Sequence, residues 1–215
     1  MTVSRYIAIE GPIGVGKTSL ARKLAGELDG ELVLEEADAN PFLDRFYQDP
    51  RGAALPAQLF FMFQRVRQLE QLVQADMFSD MRVADFLMAK DHLFAEITLD
   101  RDELLLYEQI YSTLDFNPPV PDLVVYLQAP VDTLLFRIAR RGIRYEQDIK
   151  RRYLERLTDA YSQFFHQYDE SPLLIVNAAT IDPVNNDEHF HLLLDEINNT
   201  RGGRQFFNPL VSALA

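Results

Sequence analysis

Gly11-Pro12-Ile13-Gly14-Val15-Gly16-Lys17-Thr18 reads G-x-x-x-x-G-K-T, a spacing that can cradle the phosphates of a nucleoside triphosphate. The glycines let the backbone wrap a phosphate, and amides converge on it at a helix N-terminus. Lys17 is placed to reach the β and γ phosphates, and Thr18 to hold Mg²⁺, with Ser19 the next nucleotide contact along the helix. The motif specifies a phosphate donor such as ATP and leaves the acceptor open.

Other residues offer the rest of a transfer chemistry. Glu35 and Glu36 end an apolar run, where a carboxylate can take a proton from a substrate hydroxyl or simply meet solvent. In Asn40-Pro41-Phe42-Leu43-Asp44-Arg45-Phe46-Tyr47, Tyr47 is either a hydroxyl donor to substrate or one of a helical face with Phe42 and Phe46. Gln58 and Arg65 are seven apart, so they share a helix face, with Phe61, Met62 and Phe63 between them. A polar pair among aromatics suits a nucleobase, which needs stacking and edge hydrogen bonds together. Asp85 can support Mg²⁺ through water, and Asp91 can pair with Arg65 or accept from a base; solvent-facing charge is the bland alternative for each. His92 reads as structural or exposed. The densest basic stretch, Arg137-Ile138-Ala139-Arg140-Arg141-Gly142-Ile143-Arg144, puts Arg137 and Arg141 on one face, with Gly142 ending the helix and Glu146 just beyond. Such a stretch is either a lid that clamps phosphates or a solvated positive face.

These residues need a scaffold that gathers them. Apolar runs predict strands at Tyr6–Ile9, Leu32–Leu34, Leu123–Leu127 and Leu173–Val176, with a short one near Arg82–Ala84. Helical periodicity covers Thr18–Leu28, Ala57–Ala75, Phe86–Ala95, Arg101–Leu114, Val131–Arg140, Ile149–Tyr168 and Asp187–Ile197, with Asp100 and Asp132 at N-caps or first turns. Strands alternating with helices after such a loop give an α/β fold: a five-stranded parallel sheet flanked by helices, with an arginine-rich lid. The 215 residues suit one domain over 1–199 and a tail over 200–215, which contains Gly202, Gly203, Phe206 and Phe207 and docks on the body or on a partner. With no cysteine, disulfides, thiolate metal sites and cysteine nucleophiles are excluded. A net charge of −12 weighs against a duplex nucleic-acid partner. No apolar run approaches the ~20 residues that span a membrane, and no signal-like segment opens the chain, so the expectation is a cytoplasmic protein.

In combination, GPIGVGKTSL, NPFLDRFYQDP, the glutamine-to-arginine spacing of seven and RIARRGIRYE resemble the deoxynucleoside kinase family, from Tyr6 to about Val176, and look most like its bacterial purine-directed members. The resemblance implies a P-loop kinase fold acting with ATP and Mg²⁺. It implies that Glu35 is the general base on the 5′-hydroxyl, although Glu36 stands where the family has proline. Tyr47 and Glu146 would contact the sugar 3′-hydroxyl, Gln58, Arg65 and Asp91 the base, and Arg137 and Arg141 the phosphates. It also implies a homodimer built through long helices; the apolar residues of the Ala57–Ala75 helix fit a dimer face and a monomer core equally. One departure stands out: Asp85 keeps an acidic position, but Phe86 replaces an arginine, so Lys90, Arg141 or another basic residue must supply that charge, or activity is altered.

The expected activity is 5′-phosphorylation of a deoxynucleoside, deoxyguanosine or deoxyadenosine first. A nucleoside monophosphate kinase of the thymidylate kinase type is the alternative; it needs a cationic grip on the acceptor phosphate, for which Arg45 and Arg51 are candidates. A nucleotide-binding protein that lost transfer is the third reading, prompted by Phe86.

Overall fold

The computed structural model describes residues 5–74, 81–114 and 116–209. The apolar runs form the strands β1 (Arg5–Glu10), β2 (Glu31–Val33), β3 (Met81–Ala84), β4 (Leu123–Gln128) and β5 (Leu173–Asn177), and Arg204–Phe207 adds β6. The helices are α1 (Lys17–Glu27), α2 (Leu43–Gln48), α3 (Ala54–Gln74), α4 (Lys90–Thr98), α5 (Arg101–Thr113), α6 (Val131–Arg141), α7 (Arg151–Gln167) and α8 (Asp187–Asn199). Short 3₁₀ turns cover Ala37–Ala39 and Arg144–Asp148. The expected end of the third helix at Ala75 lies outside the described residues.

One sheet runs β2-β3-β1-β4-β5-β6, and its five pairings are all parallel. It has six strands rather than five. The extra strand lies in the supposed tail: β6 pairs with β5, Ile175 opposite Phe206 and Val176 opposite Phe207. Arg204 fastens it by donating to the carbonyls of Phe165, His166 and Tyr168 at 2.8–3.2 Å, the unsatisfied acceptors at the end of α7. Arg5 does the same for α8 through Ile197 O at 2.8 Å.

β1 is central. Ile7 pairs with Val83 on one side and Leu123 on the other, and both neighbours are fully buried, which is why β1 and β4 read as continuous apolar runs. Strand alternation sends Ala8 and Glu10 to one face, where Tyr161 of α7 donates to Glu10 at 2.8 Å. Tyr126 of β4 stacks on Phe165 there, with ring centroids 4.1 Å apart. α1 and α8 are tied by Lys23, which bonds Asp187 at 2.8 Å and lies over the Phe190 ring.

Local signals set the helix ends. Asp100 caps α5 in a reciprocal box with Glu103, and Asp132 sits in the first turn of α6. Gly142 ends α6 in the left-handed conformation, φ 70°. The helix expected from Phe86 begins instead at Lys90, because Leu87 N is taken by the Glu10 carboxylate at 2.9 Å and the chain turns before entering α4.

Candidate active site

The glycine loop lies at the carboxyl edge of the sheet, where the neighbours of β1 are β3 and β4. A Cβ on Gly11 would stand 2.4 Å from Leu127 O, and its φ of +148° disfavours any side chain, so only glycine lets the loop leave β1 this close to β4. Lys17 folds back on the loop and donates to Gly11 O at 2.7 Å. Burial pulls its ammonium below the usual range, with Lys90 adding to the pull and Glu10, Glu35 and Asp85 opposing it.

From the loop an unbroken chain of contacts runs to the far side of the cleft. Thr18 Oγ1 donates to Asp85 Oδ2 at 2.5 Å. The other Asp85 oxygen accepts from Glu35 N at 2.7 Å. Burial pushes the Asp85 carboxyl up against those two hydrogen bonds. The Glu35 carboxylate bonds Arg65 and, at 3.1 Å, Lys90 Nζ. Arg65 bonds Asp91 with its other terminal nitrogen. Burial alone would raise the Glu35 carboxyl, but Arg65, then Lys90 and Lys17, hold it at about 2.

α3 aims this chain. Gln68 donates to Leu34 O at 2.7 Å and Gln64 to Glu36 O at 3.2 Å, so the segment carrying Glu35 is pinned from both sides. Of the two glutamates, Glu35 points into the network and Glu36 is exposed. Gln58 is buried two turns before Arg65. Arg65 lies 5.1 Å over the Phe61 ring, whereas Phe63 faces outward at 44% exposure. Arg65 Nε and Asp91 Oδ2 are buried without a hydrogen-bond partner among the described residues, a spare donor and a spare acceptor on two residues that are themselves ion-paired. That pairing matches the mixed edge of a nucleobase.

The remaining expected residues form a second group. Arg141 and Glu146 are brought together and grip each other through both carboxylate oxygens, at 3.0 and 2.5 Å. Tyr47 is half-buried and stacks on Tyr145, centroids 6.2 Å apart, while Phe46 packs into the core, so both readings of that helix hold in part. Burial drives the Tyr47 hydroxyl well up, and Tyr153, Glu146 and Glu35 add to the push. Arg137 lies beside the glycine loop and lines a cavity there with Arg140 and Arg141. It ties Val15 O of the loop at 2.9 Å to Ala178 O beyond β5 at 2.8 Å. His92 is exposed and faces Glu96 at 3.5 Å. Arg45 lies over Phe42, and Arg51 faces Asp49 at the surface, so neither joins Glu35.

Two features escaped the sequence reading. Glu10 is a fully buried carboxylate that accepts from Gly11 N, Leu87 N and Tyr161 OH. Its signal was an acid closing the apolar run Ile7-Ala8-Ile9. The other is a cavity of about 460 Å³ beside the loop, walled by Gly14, Phe136, Arg140 and the segment Asp182–Asn185. It is large enough for a nucleobase and ribose, and its Asp182-to-Asn185 wall carries no motif.

The chain is similar to known proteins along most of its length. Residues 7–200 match the family model described as deoxynucleoside kinase. A deoxyguanosine kinase of Bacillus subtilis (strain 168) is 35% identical over 197 residues, 88% of this chain and 94% of its own. A deoxyadenosine kinase of Lactobacillus acidophilus is 29% identical, covering 90% and 95%. Among solved structures, a deoxyadenosine kinase from M. mycoides with the products dCMP and a flexible dCDP bound superimposes with a TM-score of 0.79 at 26% identity, covering 90% of this chain and 98% of that one. The same enzyme with bound dATP gives a TM-score of 0.78 at 25% identity, covering 91% and 100%.

Proposed function

The chain belongs to the deoxynucleoside kinase family, and from that premise we propose how its residues carry ATP-dependent phosphorylation of a deoxynucleoside, with deoxyguanosine or deoxyadenosine as the acceptor. The observation that carries the reading is the continuous path Thr18, Asp85, Glu35, Arg65, Asp91, which joins the phosphate loop to the base-reading pair.

Gly11 to Ser19 is the P-loop that holds the ATP phosphates, with Lys17 exchanging its carbonyl partner for them. The cavity beside it takes the adenosine. Thr18 and Asp85 offer hard oxygen donors, which fit Mg²⁺ completed by phosphate and water. Magnesium, when bound, neutralises charge across the β and γ phosphates. Gln58, Arg65 and Asp91 read the purine edge, and Tyr47 and Glu146 meet the 3′-hydroxyl.

In the transfer, an O5′ lone pair forms the new P–O bond while the bond to the bridging oxygen breaks and leaves its electrons on ADP. The hydroxyl proton passes to the Glu35 carboxylate. A carboxyl this acidic is a weak base, so its main work is to orient O5′, taking the proton late in a loose transition state. Arg141 leaves Glu146 to close over the phosphates as the lid, while Arg137 holds the loop against β5.

Phe63 on α3 and Leu105 and Leu106 on α5 are exposed on helices that pack together, which supports a homodimer through this face; light scattering tests it. No helix among the described residues is long and apolar enough to cross a membrane. We place the protein in the cytoplasm, without a nucleic-acid partner.

The deciding experiment is ADP release from Mg-ATP with deoxyguanosine, deoxyadenosine, deoxycytidine and thymidine in turn. Turnover strongest on a purine supports the reading, and none on any of the four overturns it.

A further inference from the structure

Lys90 opens α4 with its ammonium inside the protein, its side chain 3% exposed. Nζ stands 3.1 Å from Glu35 Oε2 and 3.8 Å from Glu10 Oε2. Taking an ammonium out of water is expensive, so a buried lysine needs a reason. Glu10 and Glu35 supply its countercharge, but neither carboxylate depends on Lys90 alone. Glu10 already accepts from Gly11 N, Leu87 N and Tyr161 OH, and Glu35 already has the Arg65 guanidinium. Lys90 also acts electrostatically on Lys17 and Asp85, so it stands among the nucleotide-side groups as well as beside Glu35. Phe86, one turn earlier, is fully buried and carries no charge. The turn that Glu10 fixes through Leu87 N sets where α4 starts, and so where Lys90 points.

We propose that Lys90 is a catalytic cation of the transfer step, meeting the oxygens of the transferred phosphoryl group opposite Lys17, and that Glu10 is the positioning residue that keeps it there. The assignment rests on the kinase reading. It places a fixed positive charge where negative charge gathers between O5′ and the γ phosphorus, so its effect falls on kcat rather than on nucleoside affinity.

The chain has no cysteine, so Lys90→Cys creates a single thiol. Alkylating the unfolded variant with 2-bromoethylamine, the thiolate displacing bromide, and then refolding rebuilds an ammonium of nearly lysine length. The full-length parent is assayed first; if it turns over no deoxynucleoside, the kinase reading falls and not this residue. With an active parent, kcat should drop about 100-fold or more in Lys90→Cys, with the nucleoside KM within about 3-fold, and aminoethylation should restore at least a tenth of the parent rate. Lys90→Gln, neutral and nearly isosteric, should reproduce the loss if the cysteine variant folds poorly. A folded neutral variant with kcat within about 5-fold of the parent overturns the assignment. So does loss of kcat that persists after mass spectrometry shows complete aminoethylation, since the ammonium would then be back without effect.

Discussion

Arg65 grips Glu35: the arginine we assign to base reading is bonded to the carboxylate we assign to the 5′-hydroxyl. Its remaining terminal nitrogen goes to Asp91, so in the proposed mechanism base reading and proton acceptance share one guanidinium. An acceptor that engages Arg65 alters the partner of Glu35 in the same movement, and discrimination between bases should therefore show in kcat as well as in KM.

Glu35→Gln keeps the shape and removes the proposed acceptor of the 5′ proton. Steady-state kinetics on the preferred purine should show kcat reduced by about 10²- to 10⁴-fold, with ATP affinity, read by equilibrium titration, little changed.

The same residue ties stability to pH. Its folded carboxyl sits at about 2 against an ordinary 4.5, so its contribution is full above 4.5 and is lost as pH falls toward 2. Denaturant titrations should therefore find Glu35→Gln less stable than the parent at pH 7, with the gap narrowing once pH drops below 4.5. A gap that is constant with pH would contradict the ion-pair network.

Asp91→Ala leaves the Arg65 guanidinium buried with one carboxylate fewer, which should lower stability by about 3–5 kcal/mol in urea unfolding. Asp91→Asn, which preserves a hydrogen-bonding shape, should fold better and shift the ratio of kcat/KM values for deoxyguanosine and deoxyadenosine. An unchanged ratio would take Asp91 out of base reading.

Gly11→Ala puts a methyl against Leu127 O and forces a side chain into φ +148°. Strain of this kind is worth about 1–3 kcal/mol, so the melting temperature should fall and ATP binding should weaken together.

The glycine loop, five strands and the basic end of α6 were legible because each is a local signal: a spacing, an apolar run, a charge cluster. The sixth strand was not, since Arg204-Gln205-Phe206-Phe207 offers only two apolar residues after a glycine pair, and Phe206 is 73% exposed. Its strand character comes from β5 beside it and from Arg204 reaching the end of α7. The early start assigned to α4 failed likewise: a carboxylate 77 positions away captures Leu87 N, and no local window contains that. The helix face places Arg137 beside the glycine loop, but the two backbone carbonyls that take its terminal nitrogens lie 122 and 41 positions away, beyond any local window. Positions that answer only to local periodicity are readable; those decided by a distant acceptor are not.

The strand order also governs how the molecule assembles. β1 is made first, yet it finds its two partners only in strands that begin at residues 81 and 123. Ile7 and Ala8 have no ladder to join until residue 84 exists, and until more than half the chain exists Ile9 lacks its β4 partner and the glycine loop has no wall at Leu127 to lean on. Contacts this distant in sequence slow the search for the native state, because loop-closure entropy is spent before the central pairings return it. Newly made chains should therefore pass through a period in which the centre of the finished sheet is its most aggregation-prone part.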